Sequence, residues 1–175
     1  PGWAYHAGTD INPAATWWPL ARGLMDYLAR CSHLLRQGWF VADVCYFYGD
    51  QAPNFYPPLC DVPQKPLLAC LDPSNDYDVC SSEVILRRMK VEDGRIVLPD
   101  GMSYRLMVLP SRGEQVMAGV MTPELAKKIE ALVNEGMVVV GPPPVKSPSL
   151  MNYPRCDAEL LQVVGRLWGD TQKPG

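Results

Sequence analysis

The clearest pattern along the chain is a strand, a helix and a second strand in succession. The apolar run Leu106-Met107-Val108-Leu109 ends at Pro110-Ser111, a helix signature opens at Thr122-Pro123-Glu124, and a second run, Met137-Val138-Val139-Val140, closes at Gly141. Short continuous apolar runs suit strands covered on both faces, and two of them joined by a helix suit a parallel pair with a crossover. The helix is well punctuated. Thr122 is placed to cap it, Pro123 to begin it, Glu124 to complement its dipole and Gly136 to stop it. Leu125, Ile129, Leu132 and Val133 then form its inward face.

The same reading extends in both directions. Trp17, Leu20, Ala21, Leu24, Leu28, Cys31 and Leu35 recur at three- and four-residue spacing and predict an amphipathic helix over 17–37. Thr16 is its expected cap, Pro19 falls in its first turn and Gly38 stops it. Residues 40–48 are β-branched and aromatic and predict a central strand. Residues 50–75 hold six prolines and predict a long ordered loop. A short strand is expected at 76–80, followed by a helix to about Arg88, capped by Ser81 or Ser82, with Val84, Ile85 and Met89 inward. Residues 91–98 read as a hairpin on Asp93-Gly94, and 104–109 as the next buried strand. Pro142-Pro143-Pro144 ends the strand at 137–141, and a last helix over 158–168 is capped by Asp157. Parallel strands near 40–48, 77–80, 104–109 and 137–141, linked by right-handed crossovers, give an α/β, flavodoxin-like doubly wound sheet.

Composition narrows the function classes. Nearly half of the 175 residues are apolar and a fifth are charged, which is a globular composition. The net charge of −3 comes without a basic stripe, so nucleic acid is not an expected partner, and no apolar run is long enough to predict a membrane helix. The chain opens on Pro1-Gly2 and a helix pattern follows within about twenty residues, so it is read as a piece of a longer polypeptide. None of the six cysteines forms a C-x-x-C pair; Cys31, Cys45 and Cys80 lie in apolar runs and are expected as small buried hydrophobes. His6 and His33 have no cysteine or histidine at ligand spacing, so a zinc site is not expected.

Three chemistries suit the carboxyl edge of such a sheet. A mononucleotide site needs a glycine-rich phosphate loop, and Gly49-Asp50-Gln51-Ala52-Pro53 is not one. The strand–helix–strand pattern is similar to glutamine amidotransferases, whose nucleophilic cysteine sits in a tight strand-to-helix elbow. Here the elbow reads Gly141-Pro142-Pro143-Pro144, without a thiol and without a histidine after it. The third chemistry is carbohydrate hydrolysis.

That third class rests on a series of motifs in order: Gly8-Thr9-Asp10-Ile11-Asn12-Pro13, Thr16-Trp17-Trp18, Tyr27-Leu28-Ala29-Arg30-Cys31, Leu34-Leu35-Arg36-Gln37-Gly38, Val41-Ala42-Asp43-Val44 and Tyr46-Phe47-Tyr48-Gly49-Asp50. Asp76-Tyr77-Asp78, the stretch from Asp93 to Met102, and Tyr104 to Pro110 continue it. Across roughly residues 8–149 the chain resembles the bacterial α-L-rhamnosidases of glycoside hydrolase family 106. The resemblance implies a parent with a (β/α)8 catalytic barrel, an amidotransferase-like α/β domain and β-sandwich domains. Residues 1–38 would be the C-terminal end of the barrel, and 39–175 the α/β domain, itself incomplete. Hydrolysis of terminal α-L-rhamnosyl or related deoxysugar residues would invert configuration, using two carboxyl groups spaced to admit water. Most of the barrel would precede Pro1, and at least one member of the catalytic pair with it.

The implied sugar-contacting positions are Asp10, Trp17, Trp18 and Asp50. Two depart from the family pattern: histidine is expected at Asp10 and glutamate at Asp50. Asp78 and Glu83 are weaker candidates, and Glu130 and Glu159 read as solvated helix faces. No cofactor is expected in these residues, although the resemblance allows calcium in the parent. It also implies neighbouring barrel and β-sandwich domains as partners, and a periplasmic or extracellular location for the parent. The alternative reading is a non-catalytic flavodoxin-like structural or interaction domain.

Overall fold

A computed structural model of the chain describes residues 13, 15–50, 75–110 and 119–169. The chain divides into two compact units, Pro1–Trp39 and Phe40–Gly175.

The described part of the first unit is a 3-10 turn at Trp18–Leu20 followed by helix α1, Arg22–Leu35. The sequence expectation of one helix from 17 is shortened. Pro19 serves the 3-10 turn, and Ala21, not Thr16, occupies the cap position of α1. No residue of α1 is buried; Leu24, Tyr27 and Leu28 are half-exposed, and Leu35 is 83% exposed. Cys31 is only partly covered, so the expectation of a buried thiol fails there.

The second unit contains the parallel sheet. Its strands are β1 (Val44–Phe47), β2 (Tyr77–Cys80), β6 (Leu106–Val108) and β7 (Val138–Val140), ordered β2-β1-β6-β7 and all parallel. All four residues of β1 are buried, as a central strand requires. Residues 40–43, expected to extend it, precede the strand, and Phe40 and Val41 are exposed.

A second sheet, antiparallel, is formed by β3 (Lys90–Glu92), β4 (Arg95–Val97) and β5 (Ser103–Tyr104). The hairpin turn is Asp93-Gly94, with φ of 50° and 73°, the left-handed pair of a type I′ turn. The strand expected over 104–109 is therefore two. Tyr104 pairs with Ile96 in the small sheet, and Leu106 pairs with Val44 in the large one. Arg105 makes the change of direction. Its N–H donates to the Asp43 carbonyl at 2.8 Å, and its guanidinium lies 3.1 Å from the Asp43 carboxylate.

Three helices complete the unit: α2 (Ser82–Arg87), α3 (Pro123–Asn134) and α4 (Arg155–Trp168). Ile85 of α2, Leu125, Ala126, Ile129 and Leu132 of α3, and Leu160, Val163 and Val164 of α4 share one core with Cys45, Phe47, Cys80 and Met107. Each fully buried aliphatic side chain there stabilises the fold by about 1.5–3 kcal/mol. The opposite face of the sheet has a smaller cluster of Val44, Tyr46 and Val108. Thr122 caps α3 as expected, its Oγ1 accepting the Leu125 N–H at 3.4 Å. Asp157 does not cap α4, which begins two residues earlier at Arg155; its carboxylate instead accepts the Ser147 N–H at 2.7 Å.

Candidate functional site

The carboxyl ends of β1, β2, β6 and β7 form the edge at which open α/β sheets bind ligands. Asp50 lies three residues beyond β1 on that edge. One carboxylate oxygen accepts the Ser82 hydroxyl at 2.6 Å, and the other accepts the Thr122 backbone N–H at 2.7 Å. Asp50 thus ties the end of β1 to the first residue of α2 and to the cap of α3. The carboxylate satisfies a backbone donor that the first turn of α3 cannot satisfy itself. Ser82 and Thr122 have no sequence signal for this role, since they lie 32 and 72 residues away.

The elbow after β7 is closed by packing. Gly141 has φ of +140°, and a Cβ there would lie 2.8 Å from both the Cβ and the carbonyl oxygen of Leu109. The Trp168 indole N–H donates to the Gly141 carbonyl at 3.2 Å, and Pro144 is buried. Side chains that could carry nucleophilic chemistry do not occur at 141–144, and the backbone has no room for one at Gly141.

A half-buried hydrogen bond joins β2 to β5. Asp78 accepts the Tyr104 hydroxyl at 2.9 Å. Burial, followed by this hydrogen bond and the Asp78 charge, pushes the phenol well above its ordinary range. The Cys80 thiol is raised by its hydrogen bond with Cys45 and by burial, so it stays protonated and unreactive. Both cysteines are free and buried, as expected of small hydrophobes. Cys156, also free, is buried as well.

The remaining candidates separate. Trp17 and Trp18 adjoin at 6.2 Å between ring centroids with a 57° tilt. Asp10 lies outside the described residues. So do the proline-rich stretch at 51–74, with Cys60 and Cys70, and His6. Glu83 pairs with Arg87 at 2.9 Å on the exposed face of α2. Glu130 and Glu159, expected as solvated faces, make solvent-reached ion pairs that also join helices: Glu130 binds the Arg166 guanidinium and Glu159 lies 3.0 Å from Lys127. Arg166 holds the Glu130 carboxyl below its usual range. Among the described residues, no group of three or more histidine, cysteine or carboxylate side chains is placed to hold a metal ion. No described helix is long and apolar enough to cross a membrane.

Known proteins share this sequence and fold. A protein of Formosa agariphila named "Putative beta-glucuronidase" is 39% identical over 171 residues, which is 97% of this chain and 13% of that protein. The solved structure of a rhamnosidase from Novosphingobium sp. PP1Y matches 94% of this chain and 15% of its own, with 29% identity and a TM-score of 0.66. This chain therefore spans a small fraction of either relative. The sequence profile of glycoside hydrolase family 106, described as alpha-L-rhamnosidase, matches residues 1–174, and the chain belongs to that family.

Proposed function

We propose that this chain is a scaffold portion of a glycoside hydrolase that removes terminal α-L-rhamnosyl or related deoxysugar residues from glycans. The observation that carries the hydrolase reading is the family match over residues 1–174. In this reading residues 1–38 end a (β/α)8 barrel, and 39–175 form part of an amidotransferase-like domain. The strand order supports the second assignment. Numbering the parallel strands alone, it is 2-1-3-4, the first four positions of the flavodoxin-like order.

The scaffold role is supported by Asp50. Both of its oxygens are engaged by groups of the fold, Ser82 and Thr122. The exposed apolar residues of α1 support a barrel helix that packs against polypeptide outside this chain. Inverting hydrolysis needs an acid and a base on opposite sides of the glycosidic bond, with room for water between them. In this reading both belong to the longer protein, as do its carbohydrate substrate and its neighbouring domains.

The test is an assay of the longer protein and of this chain on aryl α-L-rhamnosides, with aryl β-glucuronides alongside because of the Formosa relative. Rhamnoside cleavage by the longer protein and none by the chain is expected. Turnover by the isolated chain would overturn the scaffold reading. Cleavage of glucuronides alone would overturn the substrate assignment.

A further inference from the structure

A cavity of about 290 Å3 opens between the first turns of α3 and α4 and the segment that follows β7. Its wall includes Thr122, Lys127, Ser147, Ser149, Asn152 and Glu159. We propose that it is a second, non-catalytic site that binds one neutral sugar ring.

Size sets the first limit. The volume lies at the small end of the range for ligand pockets, about 300–1,000 Å3, and far above that of a single water. One pyranose suits it better than a nucleotide or a longer glycan.

The wall sets the chemistry. Thr122 Oγ1 accepts the Leu125 N–H, Ser147 Oγ accepts the Ser149 N–H at 3.4 Å, and Ser149 Oγ accepts the Met151 N–H at 3.0 Å. Each hydroxyl thus uses acceptor capacity on the backbone and keeps its own proton to donate. The Asn152 amide adds a donor and an acceptor to the same wall. A ligand with several hydroxyls, each both donor and acceptor, meets such a wall at every position.

Charge selects against anionic ligands. Lys127 is neutralised by Glu159 at 3.0 Å, and Glu124 adds a further carboxylate to the lining. An anionic sugar meets net repulsion there. The lining also has an apolar part. Met151 in the lining is 74% exposed, and Tyr153, two residues on and outside the lining, is 64% exposed. Exposed apolar side chains beside a polar hollow suit the C–H face of a sugar.

The test is a nitrogen-15 amide titration of the 175-residue chain with L-rhamnose, D-glucose, D-glucuronate and D-glucosamine. Saturable shifts at Ser147, Ser149, Asn152 and Glu159 are expected with a neutral sugar, in the millimolar range, and binding of glucuronate should be about fivefold or more weaker. Ser149→Trp, which fills the hollow from an exposed position, should abolish the shifts, and Lys127→Met should weaken binding ~10-fold. Circular dichroism of both variants checks that the fold is kept. Absence of saturable shifts with either neutral sugar, shifts that survive Ser149→Trp, or a preference for glucuronate or glucosamine would overturn the proposal. The readout is binding by the chain, so its failure is separable from a failure to hydrolyse rhamnosides by the longer protein.

Discussion

The Asp50 carboxylate accepts the backbone N–H of Thr122 at 2.7 Å across 72 residues of sequence, and Thr122 in turn caps α3 through Oγ1. Together the two residues take two of the orphan donors of the α3 first turn. With the Ser82 hydroxyl on the second Asp50 oxygen, one half-buried acid fixes the end of β1 against two helices.

Removing that acid should therefore cost stability. Asp50→Ala leaves the Thr122 N–H and the Ser82 hydroxyl without their partner, and hydrogen bonds to an ionised group contribute about 1.5–3 kcal/mol. A loss of about 2–3 kcal/mol is expected in urea unfolding of the chain, with Asp50→Asn losing about half as much. Ser82→Ala, which removes only one bond, should lose about 1 kcal/mol. An Asp50→Ala chain as stable as the parent sequence would mean that the acid is free for other work.

How far the sequence showed this arrangement depends on the range over which each signal acts. The α3 crossover was legible because Thr122, Pro123, Glu124 and Gly136 punctuate a clear 3.6-residue period. The Asp93-Gly94 hairpin was legible because its turn demands those residue types. The division of 104–109 between two sheets was not legible. Apolar alternation continues through Arg105, and the change of sheet depends on Asp43, 62 positions earlier by subtraction. Asp157 resembles a cap, yet its acceptor serves Ser147, a contact that no local pattern encodes. Asp50 was legible as an acid on the ligand edge, but its partners come from the third dimension. The apolar face of α1 was legible as a face, but not what covers it, since periodicity marks a surface and not its partner.

Two glycines should respond to alanine with opposite signs. At Gly141 the positive φ and the 2.8 Å approach to Leu109 leave no place for a methyl group. Gly141→Ala should destabilise the chain by about 3 kcal/mol or more through backbone strain and displacement of Leu109. Gly165 lies inside α4, and a Cβ there meets nothing within 4 Å. Gly165→Ala should raise stability by about 0.5–1 kcal/mol. Thermal unfolding of the two variants beside the unaltered chain checks both signs at once. A tolerated Gly141→Ala would show that the elbow after β7 has slack.

Tyr104 and Asp78 make a prediction at high pH. The folded phenol has a raised pKa, from burial first and then from Asp78. A group raised in the folded state contributes stability that is complete below its unfolded value, about 10, and is lost as pH rises above it. Tyr104→Phe should cost about 1–2 kcal/mol at pH 7, because Asp78 loses its donor. The difference between the two chains should shrink above about pH 10. Urea midpoints at pH 7 and pH 11 measure it; a difference that does not change with pH would put the cost in packing and not in the proton.

The Glu130–Arg166 pair makes the opposite prediction at low pH. The guanidinium Nη2 lies 2.8 Å from one carboxylate oxygen, Nε contacts the other, and this bidentate contact joins α3 to α4. Hydrogen bonding from Arg166 lowers the Glu130 pKa in the folded state. A lowered carboxyl contributes stability that is present above its unfolded value, about 4.3, and is lost as pH falls through the folded one. Glu130→Gln should therefore be less stable than the unaltered chain at pH 7, with the difference shrinking as the pH falls below about 4.3. Because the pair is reached by solvent, the difference at pH 7 should also narrow in 1 M salt. A cycle of Glu130→Gln, Arg166→Met and both together, read by urea unfolding, isolates the pairwise contribution. If the coupling vanishes at pH 7 and low salt, the contact between α3 and α4 is held by Leu160 and Val163 in the core, and the ion pair only decorates it.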